Sequence, residues 1–229
     1  MKGQIIFDNE TREAHLFVGW GFSVMIGNYL FDTGDTGPHL LENLQRLQYS
    51  IYDVEAVIIS HDHYDHWGGL WELLSLLPGL PVYGCSNFSD TFKSRVEKAG
   101  GKLIEIDGFR QFSDNLYSTG QIEGMYKSEP IWEQSLIIKT ECGISVCTGC
   151  AHPGVEKITM SVRTRFPEEK GKTIFGGFHL KDDKPDEIDR VIARLFDLGF
   201  ENIYPGHCSG EYAKKRGTGR LYVGAVIDA

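Results

Sequence analysis

The sequence predicts an α+β protein in which β-sheets are covered by helices. Three features carry this reading. Apolar runs come in blocks, strand-like, then helix-like, then strand-like and helix-like again. Each internal histidine motif directly follows an apolar, strand-like run. Finally, the 229 residues, with 41% apolar side chains, run on without a convincing linker, which fits a single domain over residues 1–229.

Residues 5–7, 22–26 and 28–31 read as short strands, the last two joined through Gly27 as a tight hairpin. Leu40, Leu41, Leu44 and Leu47 fall on one stripe and predict a helix over residues 38–48. Residues 56–60 read as a buried strand, 69–77 as a helix closed by Pro78-Gly79, and 81–83 as a strand. A helix over 88–99 is stopped by Gly100-Gly101. A β-rich middle follows at 102–106, 116–119, 135–140 and 144–148, with 108–115 and 120–134 as loops. Val155, Ile158, Val162 and Phe166 recur at helical spacing before Pro167. Residues 173–175 form a strand, and 185–198 a helix with Ile188, Val191, Ile192, Leu195 and Phe196 inward and Gly199 at its end. Strands at 202–204 and 221–227 close the set.

A net charge of -9 and a pI near 5.4 leave no electrostatic footprint for nucleic acid or an anionic membrane, and argue against a nuclease. No apolar run approaches the ~20 residues that span a bilayer, so a cytoplasmic protein is expected. The five cysteines, at 85, 142, 147, 150 and 208, are odd in number and scattered, unlike a disulfide framework.

The most informative stretch is His61-Asp62-His63-Tyr64-Asp65-His66, three imidazoles and two carboxylates directly after an apolar run. On a regular strand His61, His63 and Asp65 share a face while Asp62 and Tyr64 point away. A turn or helix start at Trp67-Gly68-Gly69-Leu70 would then swing His66 to a second point beside the first. Such crowding would self-repel without a cation. Its residue types suit two adjacent metal ions, one on His61 and His63, the other on Asp65 and His66.

Three further histidines sit in glycine-bearing turns after apolar strands: His152 in Gly149-Cys150-Ala151-His152-Pro153-Gly154, His179 in Gly176-Gly177-Phe178-His179-Leu180, and His207 in Pro205-Gly206-His207-Cys208-Ser209-Gly210. Turns held by a rigid sheet are where functional side chains concentrate. Asp32, in Phe31-Asp32-Thr33-Gly34, is either a turn or N-cap residue or a carboxylate that fixes the tautomer of a ligand imidazole. Cys147 and Cys150 are spaced as Cys-x-x-Cys, but no second pair completes a zinc ribbon. Cys147 is expected to be buried and inert; Cys150 is a candidate thiolate ligand, and Cys208, beside His207, a weaker one.

Asp32-Thr33-Gly34, the run from Ser60 to Leu70 and Tyr204-Pro205-Gly206-His207 together resemble the metallo-β-lactamase superfamily. The turns around His152, His179 and His207 narrow the resemblance to the branch of metal-dependent hydrolases that includes dihydropterin–aminobenzene ribofuranosyl phosphate synthases. The resemblance implies a four-layer αβ/βα sandwich of two mixed sheets, with helices outside and metals at one edge. It implies two divalent ions, zinc with iron or manganese as alternatives, the first on His61, His63 and His152, the second on Asp65, His66 and His207. One departure stands out: no His lies between His66 and His152, and the position of the superfamily's bridging Asp reads Cys150. Either His152 supplies the missing imidazole, or Cys150 takes part.

The expected activity is hydrolysis, in which two cations share a hydroxide, oriented by Asp65, that attacks a phosphoester or ester. His179 is a candidate substrate or acid/base residue. The alternatives are a transferase condensing a dihydropterin diphosphate with an arylamine ribofuranosyl phosphate, and a metal-loaded, non-catalytic ligand sensor. The expected partner is a phosphorylated small molecule, not a membrane or nucleic acid. Lys181, Arg163 and Arg165 are candidate phosphate contacts or a solvated face, and Phe109, Met125, Tyr126 and Trp132 either stack on a flat ring or pack a lid.

Overall fold

The computed structural model describes residues 1–229. The chain divides into two compact units, Lys2–Asp107 with Tyr222–Ile227, and Gly108–Leu221 with Met1 and Asp228–Ala229. No helix is long and apolar enough to cross a membrane.

The first unit runs β1 (Lys2–Phe7), β2 (Ser23–Ile26), β3 (Tyr29–Phe31), α1 (Gly37–Arg46), β4 (Ala56–Ile58), α2 (Tyr64–Trp67), α3 (Leu70–Leu76), β5 (Pro81–Cys85), α4 (Asp90–Lys98) and β6 (Lys102–Ile106). β1, β2 and β3 pair antiparallel, whereas β3 to β6 are parallel neighbours joined through helices. In α1, Leu40 and Leu44 are buried, and Pro38 stands in the first turn, where a missing N–H costs nothing. Because Phe31 of β3 pairs with Ile58 of β4, the residues that follow these strands, Asp32 and Ile59-Ser60-His61, leave the same end of the sheet. The carboxyl ends of parallel strands are where open α/β sheets hold ligands.

The second unit comprises β7 (Arg110–Ser113), β8 (Leu116–Ser118), β9 (Ile122–Tyr126), β10 (Glu129–Glu133), β11 (Leu136–Thr140), β12 (Gly143–Thr148), α5 (Val155–Arg165), β13 (Gly171–Gly177), α6 (Pro185–Asp197), β14 (Phe200–Gly206) and α7 (Gly210–Arg216). Its main sheet has the order β14-β13-β12-β11-β8-β7, and β9 and β10 form a separate hairpin. β12, β13 and β14 are parallel, with Thr148 beside Gly176 and Gly177 beside Gly206. Their three outgoing turns, which carry His152, His179 and His207, therefore emerge side by side. Val146, Ile158, Val162, Ile174, Ile188, Leu195 and Ile203 belong to one buried apolar cluster that anchors these strands against their helices. A last strand, β15 (Val226–Asp228), adds to the edge of the first sheet, giving β15-β1-β2-β3-β4-β5-β6.

Four expectations need correction. Residues 110–113, 122–126 and 129–133 are strands rather than loop; their side chains alternate without an apolar face strong enough to read, and the hairpin turns on Lys127-Ser128, both at positive φ, without a glycine to mark it. Of 221–227, only the end is strand, because Gly224 at φ 92° interrupts the extended backbone. Phe196 is 44% exposed, since the stripe of α6 that is buried comprises Ile188, Val191, Ile192 and Leu195. Finally, the helix in the histidine cluster starts at Tyr64, before Trp67, so Asp65 does not lie on a strand with His61 and His63.

Candidate metal centre

In the first unit the chain leaves β4, passes Ser60 and His61, and enters α2 with an extended His63 as its N-cap (φ -113°, ψ 143°). This bend sets two pairs of donor atoms. His61 Nε2 lies 3.1 Å from His63 Nδ1, and Asp65 Oδ2 lies 3.7 Å from His66 Nε2. The His61 and His66 rings are 4.1 Å apart between centroids, so the pairs adjoin. His61 and His66 are fully buried and Asp65 nearly so. Asp62 and Tyr64 face elsewhere: Asp62 accepts from Trp67 Nε1 at 3.1 Å and from the Ser89 N–H at 2.9 Å, and Tyr64 is exposed.

Beneath these donors lies Asp32, held at φ 55° and fully buried. Its Oδ1 accepts the Ser60 N–H at 2.7 Å, and its Oδ2 accepts the Ser60 hydroxyl at 2.7 Å and stands 2.7 Å from His66 Nδ1. Asp32 is not the cap of α1, whose N-cap is Thr36. With Nδ1 committed to the carboxylate, His66 keeps Nε2 as its outward donor. Ser60 Oγ likewise lies 2.8 Å from His61 Nδ1, leaving His61 Nε2 outward. The Thr33 N–H and hydroxyl both donate to the His66 carbonyl, at 2.8 and 3.1 Å, and tie α2 to the end of β3. Imidazole and carboxylate donors crowded this closely, with their back sides already hydrogen-bonded, fit a divalent zinc, iron or manganese ion.

In the second unit the turn after β12 is gripped by a residue that the sequence did not single out. Glu133, the last residue of β10, is 1% exposed, and its carboxylate accepts from the N–H groups of Cys150, Ala151 and His152 at 2.9, 2.7 and 2.7 Å. The only hint in the sequence is a charged residue two positions before the strand-like run 135–140. Thr148 Oγ1 donates to the Gly177 carbonyl at 2.8 Å, and Ser209 Oγ accepts from the Phe178 N–H at 3.0 Å, binding the three turns to one another. Gly176, at φ 118°, lets β13 pass so close that a Cβ there would lie 2.0 Å from the Thr148 carbonyl oxygen.

These turns bring His152 and His179 to 4.4 Å between ring centroids, with Tyr126 of the hairpin edge-on to both at 5.3 and 6.0 Å. His207 is buried in a 3-10 turn at φ 42°. Cys150 and Cys208 are buried with their sulfurs 3.3 Å apart. The hydrogen bond to Cys208 raises the pKa of His179 above the ordinary imidazole value, against the lowering effect of burial. Burial alone would raise the Cys208 thiol, but the hydrogen bond with Cys150 and the neighbouring His207 and His179 hold it well below its ordinary value. Cys147 is fully buried in β12. Arg165 stacks on Phe109 at 4.0 Å and Arg163 donates to the Glu169 carbonyl, so both are engaged along α5. Phe109 packs against Tyr117 and Phe166.

Comparison with known proteins gives a consistent picture. The family model described as "Metallo-beta-lactamase superfamily" matches residues 21–84, the segment that holds Asp32 and the histidine cluster. The chain is 27% identical over 244 residues to 7,8-dihydropterin-6-methyl-4-(β-D-ribofuranosyl)-aminobenzene-5′-phosphate synthase of Methanocaldococcus jannaschii, covering 86% of this chain and 83% of that protein. Among solved structures, a metal-dependent hydrolase of the β-lactamase superfamily superposes with a TM-score of 0.82 at 26% identity, over 100% of this chain and 99% of the other. A metallo-β-lactamase-fold protein of Bacillus subtilis superposes with a TM-score of 0.70 at 16% identity, over 99% of both chains.

Proposed function

We propose that this chain, which has the metallo-β-lactamase fold, is a metal-dependent hydrolase that cleaves a phosphoester or ester bond in a phosphorylated small molecule. The observation that carries the reading is the paired donor set His61/His63 and Asp65/His66, backed by Asp32 and Ser60. In this proposal both units act as one catalytic domain. His61, His63 and His152 hold one divalent ion, and Asp65, His66 and His207 the other, zinc being the first choice.

Bound there, two cations would acidify water and polarise the reacting centre. The chain's own residues do the rest. Asp65 orients the nucleophile and accepts its proton. Asp32 fixes the His66 tautomer. His179, whose pKa its bond to Cys208 raises, donates a proton to the leaving group. Tyr126, edge-on to His152 and His179, supplies an aromatic wall.

Metal analysis combined with turnover of bis(p-nitrophenyl) phosphate or an aryl ester tests the reading. His63→Ala should lose metal and turnover together; retained turnover overturns the assignment. The kinship with the M. jannaschii synthase favours a second reading, in which an arylamine ribofuranosyl phosphate displaces diphosphate from a dihydropterin methylene carbon. Diphosphate release that requires both substrates would select it. Tight ligand binding with neither activity would select a sensor.

A further inference from the structure

The β9–β10 hairpin stands apart from both larger sheets: β9 pairs with β10 on one side and with no strand on the other. One proline decides which backbone groups that open side carries. Met125 of β9 lies opposite Pro130 of β10, and proline has no N–H to give, so theirs is not a hydrogen-bonded pair of the ladder. In an antiparallel ladder bonded and non-bonded pairs alternate. Gly124 and Tyr126 therefore bond to β10, while the N–H and C=O groups of Met125 and Glu123 point away from it. The Glu123 carbonyl is already taken, by Lys157 Nζ at 2.8 Å. What remains is the Met125 N–H beside the Met125 C=O, a donor and an acceptor on one residue, with the Glu123 N–H further along.

On this side lies an open cavity of about 320 Å³, lined by Glu123, Gly124, Met125, His152, Pro153 and Lys157. β9 runs tight against the turn behind it: a Cβ on Gly124 would lie 2.5 Å from the His152 carbonyl carbon and 2.5 Å from the Pro153 nitrogen. Glu133, at the base of the same hairpin, holds the amides of that turn, so hairpin and turn make one wall. Pro153 and the Met125 side chain, 56% exposed, supply apolar surface, and a thioether is a favourable neighbour for a ring. Apolar lining with a few placed polar groups is the usual make-up of a small-molecule pocket.

The backbone pattern selects the occupant. An added peptide strand would need the Glu123 carbonyl that Lys157 holds. A flat ring with an adjacent N–H and C=O needs Met125 alone: its C=O accepts from the Met125 N–H, and its N–H donates to the Met125 C=O. We propose that the Met125 main chain and the cavity beside it bind a planar lactam ring, a heterocycle with neighbouring N–H and C=O groups, as the non-reacting part of the substrate. His152 lines the cavity and is also a candidate metal ligand, so a ring seated here adjoins the reacting end. The assignment to the substrate rests on the hydrolase reading; the ring site itself does not.

The probe is 4-quinazolinone, a plain bicyclic lactam, and the control is its derivative methylated on the lactam nitrogen, which has no N–H to donate. Added to the full-length protein with isotope-labelled methionine methyl groups, the probe should shift the Met125 signal, which is identified by its absence in Met125→Leu. The methylated control should bind about tenfold more weakly, the effect of one lost hydrogen bond that leaves its partner unpaired. Met125→Leu keeps the main-chain pair and should bind the probe as the unmodified protein does. Met125→Pro removes an N–H that the ladder does not use, and should weaken binding by about tenfold. A Met125 signal that stays in place overturns the proposal, and so does equal binding of probe and control. If Met125→Pro does not fold, the comparison of probe and control in the unmodified protein decides. The two readings fail separately: retained turnover in His63→Ala with the probe bound concerns only the hydrolase, and absent probe binding with metal-dependent turnover intact concerns only this site.

Discussion

Asp32 Oδ2 stands 2.7 Å from His66 Nδ1, at the junction of two neighbouring parallel strands. The same carboxylate takes the Ser60 N–H and hydroxyl, so a single fully buried side chain orients His66 directly and His61 through Ser60. Carboxylate partners behind ligand imidazoles commonly govern metal affinity by about 10–100-fold. Asp32→Asn is therefore expected to weaken metal binding by about that factor. Competition against a chromophoric chelator measures it, and unchanged affinity would remove Asp32 from the site.

Glu133 spends both oxygens on three amide groups of the turn that precedes α5. Truncation leaves those buried N–H groups without an acceptor, each costing on the order of 1–3 kcal/mol before relaxation. Glu133→Ala should lower unfolding free energy by about 3 kcal/mol and Glu133→Gln by less, because the amide oxygen still accepts. Urea unfolding gives the comparison. A loss near zero for the alanine variant would mean that water replaces the carboxylate.

Gly176→Ala places a methyl group 2.0 Å from the Thr148 carbonyl oxygen at φ 118°. Backbone strain of this kind costs about 1–3 kcal/mol, and steric displacement of β12 adds to it. A clear fall in thermal midpoint is expected, with Gly108→Ala, where a Cβ meets nothing within 4 Å, as the neutral control.

Asp35 supplies a pH test. Burial raises its carboxyl pKa above the ordinary value, outweighing the hydrogen bond from the Trp20 N–H, and its Oδ1 is buried without a partner. For a group raised on folding, the stabilising share is present below the unfolded pKa and is lost as pH rises through the folded one. Asp35→Asn should therefore be more stable than the parent near neutral pH. The two should converge below the ordinary carboxyl range of about pH 4. Denaturant midpoints across pH measure the difference, and a constant gap would contradict this assignment.

Much of this was legible in the chain because it rests on local patterns. The Gly27 hairpin, the α1 stripe of Leu40 and Leu44 and the strand before His61 all carry their period in neighbouring residues. The turns at His152, His179 and His207 were visible as glycine-bearing stops after apolar runs. What escaped was set at a distance. The role of Glu133 depends on hydrogen bonds to residues 17–19 positions away, which no spacing rule reveals. The β9–β10 hairpin turns on Lys127-Ser128 and alternates weakly, so it read as loop. The early start of α2 at Tyr64 was hidden because His63 caps it through backbone geometry, with no side-chain cap.

The parallel run β12-β13-β14 sends its three histidine turns out at one rim, while Glu141-Cys142, the stretch before Gly171 and Leu198-Gly199 lie at the strands' entries. That polarity puts the candidate site residues of the second unit at one rim and leaves the opposite rim without them. Changes at that opposite rim should leave the candidate site residues undisturbed, and the exposed thiol of Cys142 is a ready anchor there for a dye, a spin label or a surface tether.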